Sequence, residues 1–245
     1  MRLNAKVVQY NLDKINTAIW FGDSWCVGTE LEKCMGTDYQ SHDQELYRLE
    51  NRFSYLVSKH FQWKQINLGQ EGISPEHIMM KVFEHRESHC DLQNEIYFIF
   101  WPSIQRYFWI DEHGDRQDLR WCPENKNWYL TVDNSVYQMY CAQRTMWTCI
   151  SYLQQHHVPY VMANIQHRIV KPYFFPLDFS SWLLPPDKHL GDILDFELLE
   201  GFPKIDEQHR YFWPAENHPN TYGHKRIARE IINYLREKTN VSIES

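Results

Sequence analysis

Four short segments of this 245-residue chain combine the residue types that acyl transfer requires. Gly22-Asp23-Ser24 places a hydroxyl directly after a short apolar run, 17–22, that ends in glycine. Asn67-Leu68-Gly69-Gln70-Glu71-Gly72 is a glycine-punctuated loop, and Trp101-Pro102-Ser103-Ile104-Gln105-Arg106 ends in a cation. Glu216-Asn217-His218-Pro219-Asn220-Thr221-Tyr222-Gly223-His224 brings an acid and two imidazoles together ahead of the last helical stretch. A serine at a strand-to-helix turn can aim its hydroxyl into a crevice where backbone N–H groups face an anion. A second glycine loop can add another N–H, and a histidine can take the serine proton if an acid orients its other ring nitrogen. Nucleophile, oxyanion donor, polar helper, acid and base then follow one another along the chain.

Each of these residues also has a plainer role. Ser24 can serve only as a helix N-cap, His218 as a turn-stabilising side chain, and Gly69 and Gly72 as residues that permit tight turns. Asp23 can tie its loop through backbone hydrogen bonds. Arg106 suits a structural ion pair as readily as a substrate clamp. His224 is read as structural, capping or packing the last helix. His85 and His89 stand four apart on a predicted helix, a spacing that could put two imidazoles on one metal. Without a third ligand nearby they read instead as a solvated helix face, so neither a metal nor an organic cofactor is expected.

The elements that must position these groups follow from periodicity. The run 17–22 reads as a buried strand. Apolar residues at Leu46, Leu49, Phe53, Leu56 and Val57 predict one helix from Asp43 to Phe61. Gln65 to Leu68 is a second strand. Ser74-Pro75-Glu76 is an N-cap followed by proline at the first helical position, opening a helix to about His89. Glu95 to Trp101 is the strongest strand, ended by Pro102. The pattern is lost from 110 to 134, which predicts an inserted loop or small β-excursion. Ser135 to Gln155 is helical, Pro159 to Asn164 is a fourth strand, and Tyr222 to Glu237 is an amphipathic closing helix. The proline- and aromatic-rich segment 172–214 is expected to pack as loops and short helices over one rim. Strands alternating with helices predict a single α/β domain over 1–245, three layers α/β/α around a mostly parallel sheet. Ligands in such sheets gather at the carboxyl ends of the strands, where the first three segments fall, while the fourth precedes the last helix.

Composition narrows the function classes. A net charge of −7 without basic clusters argues against a nucleic-acid partner. No stretch approaches the ~20 apolar residues of a membrane span, and the amino terminus lacks a signal-peptide pattern, so neither a membrane nor export is expected and a cytoplasmic location is. The six cysteines contain no C-x-x-C pair and read as free thiols. Aromatics reach 16%, with ten Trp; Tyr107-Phe108-Trp109 and Tyr173-Phe174-Phe175 could stack a sugar ring, although most such rings are expected in the core.

The four segments resemble blocks I, II, III and V of the SGNH (GDSL) hydrolase superfamily, in order, over roughly 17–109 and 158–237. The resemblance implies an SGNH-hydrolase, flavodoxin-like fold. It implies Ser24 as nucleophile, the N–H groups of Ser24 and Gly72 as oxyanion hole, and His218 as general base. Two departures stand out. Ser103 occupies the place of the family's third-block Asn, with Arg106 as an alternative source of positive charge. Glu216 lies two residues before the histidine, whereas the usual Asp-x-x-His position holds Ala215. Both variants resemble phage-encoded GDSL-like members, for which the location would be the host cytoplasm. The resulting expectation is a serine esterase acting through an acyl-enzyme on a small-molecule or carbohydrate ester, O-acetyl carbohydrate being the first choice. Ser24, His218 and Glu216 are its catalytic residues, Gly72 and Ser103 its further oxyanion donors, and Arg106 and Asp23 its substrate contacts. The alternatives are an SGNH-fold protein without activity that binds a glycan or partner, and a phage structural or host-takeover protein. Oligomeric state is left open.

Overall fold

A strand whose residues are nearly all apolar must be covered on both faces, and the segment from Glu95 to Trp101, apolar after its first residue, is of that kind. In a computed structural model of the chain, which describes residues 10–29, 31, 42–89, 94–104, 106–110, 113, 116–119, 135–165, 167–194 and 218–240, four strands form one parallel sheet. They are β1 (Thr17–Phe21), β2 (Lys64–Asn67), β3 (Glu95–Trp101) and, fourth in this sheet, β6 (Tyr160–Asn164), in the spatial order β2-β1-β3-β6. Trp20 pairs with Phe98 in register, and Phe98 with Val161.

The period-two alternation of side chains sorts the core into two layers. Ala18, Trp20, Phe98, Phe100, Val161 and Ala163 face one side. There they meet Phe53 and Val57 of α3 (Phe53–His60) and Ile227, Ile231 and Leu235 of α7 (Thr221–Asn240). Ile19, Phe21, Tyr97, Ile99, Trp101 and Met162 face the other side. Their partners are Ile78 and Val82 of α4 (Pro75–Ser88) and Met146, Ile150 and Leu153 of α5 (Ser135–Gln155). Part of the aromatic content is absorbed here: Trp20 stacks on Phe98 with ring centroids 4.0 Å apart, and Phe53 meets Phe100 edge-on at 5.1 Å. The α/β three-layer fold expected from the sequence is the fold observed.

Two element expectations change. The helix expected over 43–61 is two helices, α2 (His42–Asn51) and α3, broken at Arg52, whose backbone is extended (φ −71°, ψ 145°). The β-excursion starts earlier than 110. Strands β4 (Tyr107–Ile110) and β5 (Arg116–Leu119) pair antiparallel, and 120–134 lies outside the described residues. In the segment 172–214, residues to 194 form loops and the short helix α6 (Leu190–Ile193), while 195–214 lies outside the described residues. Among the described residues, no helix is long and apolar enough to cross a membrane.

The order β2-β1-β3-β6 places a topological switch point between β1 and β3, the position where open parallel sheets form their crevice. The Gly-Asp-Ser turn leaves β1 there, and the Pro102–Arg106 segment leaves β3 beside it.

Candidate active site

Gly22 begins the turn after β1 and is packed from both sides. A Cβ at this position would lie 2.8 Å from Cys26 Cβ and 3.1 Å from Phe100 Cβ, so only glycine lets the turn sit so close to the sheet. Asp23 follows as N-cap of α1 (Ser24–Val27), its Oδ1 accepting the Trp25 N–H at 3.0 Å. Ser24 is therefore the first residue of a helical turn, where a backbone N–H has no partner within the helix. The serine is 7% exposed.

The loop after β2 is fastened to this turn. Leu68 N–H donates to Trp20 O at 2.8 Å and Gln70 N–H to Gly22 O at 2.9 Å. Asn67 organises the junction: its Oδ1 accepts from Gly69 N–H at 2.9 Å, and its Nδ2 donates to Cys26 O at 2.8 Å and Ser54 Oγ at 3.1 Å. Gly72 has φ 73°, the left-handed region that favours glycine. The chain then enters α4, where Ser74 Oγ accepts the His77 N–H and Pro75 holds the first helical position, as the sequence predicts.

The base arrives from the carboxyl-terminal segment. Asn220 caps α7, its Oδ1 accepting the N–H groups of Tyr222 (3.0 Å) and Gly223 (3.1 Å), which sets where the helix begins and where His218 leaves it. His218 Nε2 lies 2.9 Å from Ser24 Oγ, across 194 residues of sequence. With the imidazole proton on Nδ1, Nε2 accepts the serine hydroxyl, the arrangement that general-base activation needs.

The other expected site residues fall as follows. Ser103 is half-buried just beyond β3, and its carbonyl accepts the Arg106 N–H at 3.3 Å. Arg106 directs its guanidinium inward: Nη1 donates to Asp23 Oδ2 at 3.0 Å and to Ile73 O at 3.2 Å. Asp23 is fully buried beneath the turn, with its two carboxylate oxygens bonded to Trp25 N–H and Arg106. Glu216 lies outside the described residues.

Two supports of the site carry no local sequence signal. Asn67 stands in the sequence only as part of a glycine loop, yet it ties β2 to both α1 and α3. His224 was expected to serve the last helix, and it does pack there. Its Nδ1, however, accepts the Phe53 N–H at 3.1 Å, so it caps the start of α3, and its ring stacks on Phe53 at 5.4 Å. Burial, reinforced by His218 and Arg52 nearby, lowers the His224 pKa to about 3, so the ring is neutral. On α4 the two expected surface histidines part: His85 is buried and turned inward to Tyr97 Oη (2.7 Å), while His89 is exposed as expected and stacks on its ring. Among the described residues, no group of three or more His, Cys, Asp or Glu side chains could hold a metal ion.

No protein-family model matches this sequence, and no curated protein matches it. Solved structures do resemble it in shape. A member of the lipolytic protein G-D-S-L family from Veillonella parvula aligns over 90% of this chain and 98% of its own, at 12% identity and a TM-score of 0.49. A psychrotrophic esterase from Pseudoalteromonas sp. aligns over 92% and 99%, at 11% identity and 0.46. An acetyl xylan esterase from Butyrivibrio proteoclasticus aligns over 91% of this chain and 64% of its own, at 12% and 0.46.

Proposed function

We propose that this protein is a serine hydrolase of the SGNH type that cleaves a carboxylic ester through an acyl-enzyme. The observation that carries the reading is the 2.9 Å approach of His218 Nε2 to Ser24 Oγ at the switch point of the sheet. In this reading Ser24 Oγ attacks the ester carbonyl as His218 takes its proton, and His218 returns that proton to the departing alcohol. Water activated by the same imidazole then hydrolyses the acyl-enzyme. The tetrahedral oxyanion is met by the N–H groups of Ser24 and Gly72, with the Ser103 hydroxyl as third donor. Glu216 orients the His218 Nδ1–H. O-acetyl carbohydrate is the substrate class to test first, because Tyr173 and Phe174 are 43% and 38% exposed and offer ring faces of the kind that stack on sugars.

The test is labelling by a fluorophosphonate together with turnover of p-nitrophenyl acetate. The wild type is expected to label and turn over, and S24A and H218A are expected to do neither. E216Q should retain the fold and lose ~10²-fold or more in kcat, as expected when the imidazole loses its orienting acid. A wild type indistinguishable from S24A in both assays would sink the hydrolase reading and leave a binding role for the same crevice.

A further inference from the structure

Both oxyanion-hole amides lie in short turns, and one guanidinium nitrogen is bonded to the chain next to each of them. Arg106 Nη1 donates one hydrogen bond to Asp23 Oδ2 (3.0 Å), on the residue before Ser24. It donates another to the carbonyl of Ile73 (3.2 Å), the residue after Gly72. The geometry points to Arg106 as a positioning residue that clamps the two halves of the oxyanion hole, an inference that rests on the hydrolase reading above. The two turns are already joined at their near ends by Gln70 N–H on Gly22 O. Arg106 joins them at Asp23 and Ile73, so each candidate donor is flanked by a fixed neighbour.

The surroundings favour clamping over substrate contact. The Arg106 side chain is 16% exposed and Asp23 is 0% exposed, so this ion pair is largely withdrawn from solvent. A buried carboxylate needs a compensating charge, and here the group that compensates it also fixes a second turn. Oxyanion donors act because they are held in place before charge develops. Slackening both at once should therefore lower turnover and leave ground-state binding nearly unchanged. Lysine cannot replace arginine in this role: its ammonium ends one atom short of Nη1, although its charge still balances Asp23.

The experiment compares wild type, R106K and R106A by labelling rate, by kcat and KM measured separately, and by backbone hydrogen exchange. R106K keeps the buried carboxylate paired, so its deficit cannot be assigned to an uncompensated charge. The clamp predicts that both variants lose ~10- to 10²-fold in labelling rate and kcat while KM changes by less than about threefold. It also predicts faster amide exchange in 24–27 and in 72–74 together, by ~10-fold or more. A rise in KM at constant kcat would make Arg106 a substrate clamp and overturn the proposal. So would wild-type kinetics in R106A, or exchange that quickens in one turn alone. If the wild type fails to label above S24A, the hydrolase reading falls on its own, and the joint exchange response still decides whether Arg106 couples the two turns.

Discussion

A serine hydroxyl is a weak nucleophile at neutral pH, and in the mechanism proposed for Ser24 the residues around it determine how far that weakness is offset. His218 is within hydrogen-bond reach, and the backbone of the turn is anchored by Asp23. In the proposed mechanism Ser103 is the third oxyanion donor, with a shorter reach than the asparagine that the family resemblance leads one to expect. S103A is expected to lower kcat by ~10-fold or more, with KM little changed, in p-nitrophenyl acetate kinetics. S103N should raise kcat above wild type if reach limits the present donor; equal rates in all three proteins would remove Ser103 from the mechanism. Gly22 invites a complementary substitution. G22A forces a methyl against Cys26 Cβ and Phe100 Cβ, both held by their own backbones, and should cut the labelling rate by ~10-fold or more while destabilising the fold by about 1–3 kcal/mol in urea titrations. These residue types were readable in the sequence. Their spatial partners were not: Arg106 and Asp23 are 83 positions apart, and nothing local distinguishes a guanidinium bound for a carboxylate from one bound for substrate.

Helix boundaries show where periodicity stops being informative. Leu46, Leu49, Phe53, Leu56 and Val57 keep helical spacing across Arg52, since one extended residue disturbs the phase too little to erase the apolar stripe. The break is visible only in three dimensions, where the Phe53 N–H at the head of α3 finds its acceptor on His224, 171 residues on. This cap also aligns α3 with α7. H224A should cost about 2–4 kcal/mol, combining an unsatisfied buried N–H with the lost stacking on Phe53. Urea midpoints would measure it, and a cost below about 0.5 kcal/mol would show that the cap contributes little. Where the signals were chemical as well as periodic, element boundaries agreed closely: Ser74-Pro75 opened α4, and Pro102 followed the end of β3.

For the molecule as a whole, neutral histidines enclosed in the two core layers set a pH response. His224 titrates at about 3 and His85 at about 4 in the folded state, both lowered first by burial, against an ordinary value of 6.5. The unfolded chain therefore binds more protons between those limits, and stability rises with pH there. Their contribution is intact above about pH 6.5 and is lost as pH falls toward 4 and then 3, with a slope of up to about 1.4 kcal/mol per pH unit for the enclosed His224. Urea unfolding between about pH 7 and about pH 4.5 should show this acid limb, and H224Q should flatten it. A slope identical in H224Q would assign the limb to other groups. At this scale the sequence was most informative. Four strands and the segments following them could be read from apolar runs and glycine-rich turns, and the parallel order followed from alternation with helices.

Cys26, two residues beyond Ser24, is enclosed completely, and burial pushes its thiol well above the ordinary range. A thiol held protonated away from solvent is a poor nucleophile toward electrophiles. Trypsin would release Ser24 and Cys26 on one peptide, 15–33, so a mass tag on that peptide could in principle belong to either side chain. Labelling the folded protein resolves the ambiguity chemically, because the sulfur beneath the turn is withheld from the reagent while the hydroxyl above it faces the imidazole. If Ser24 is the nucleophile proposed above, activity-based profiling in whole lysates can report on it without prior alkylation of its neighbour.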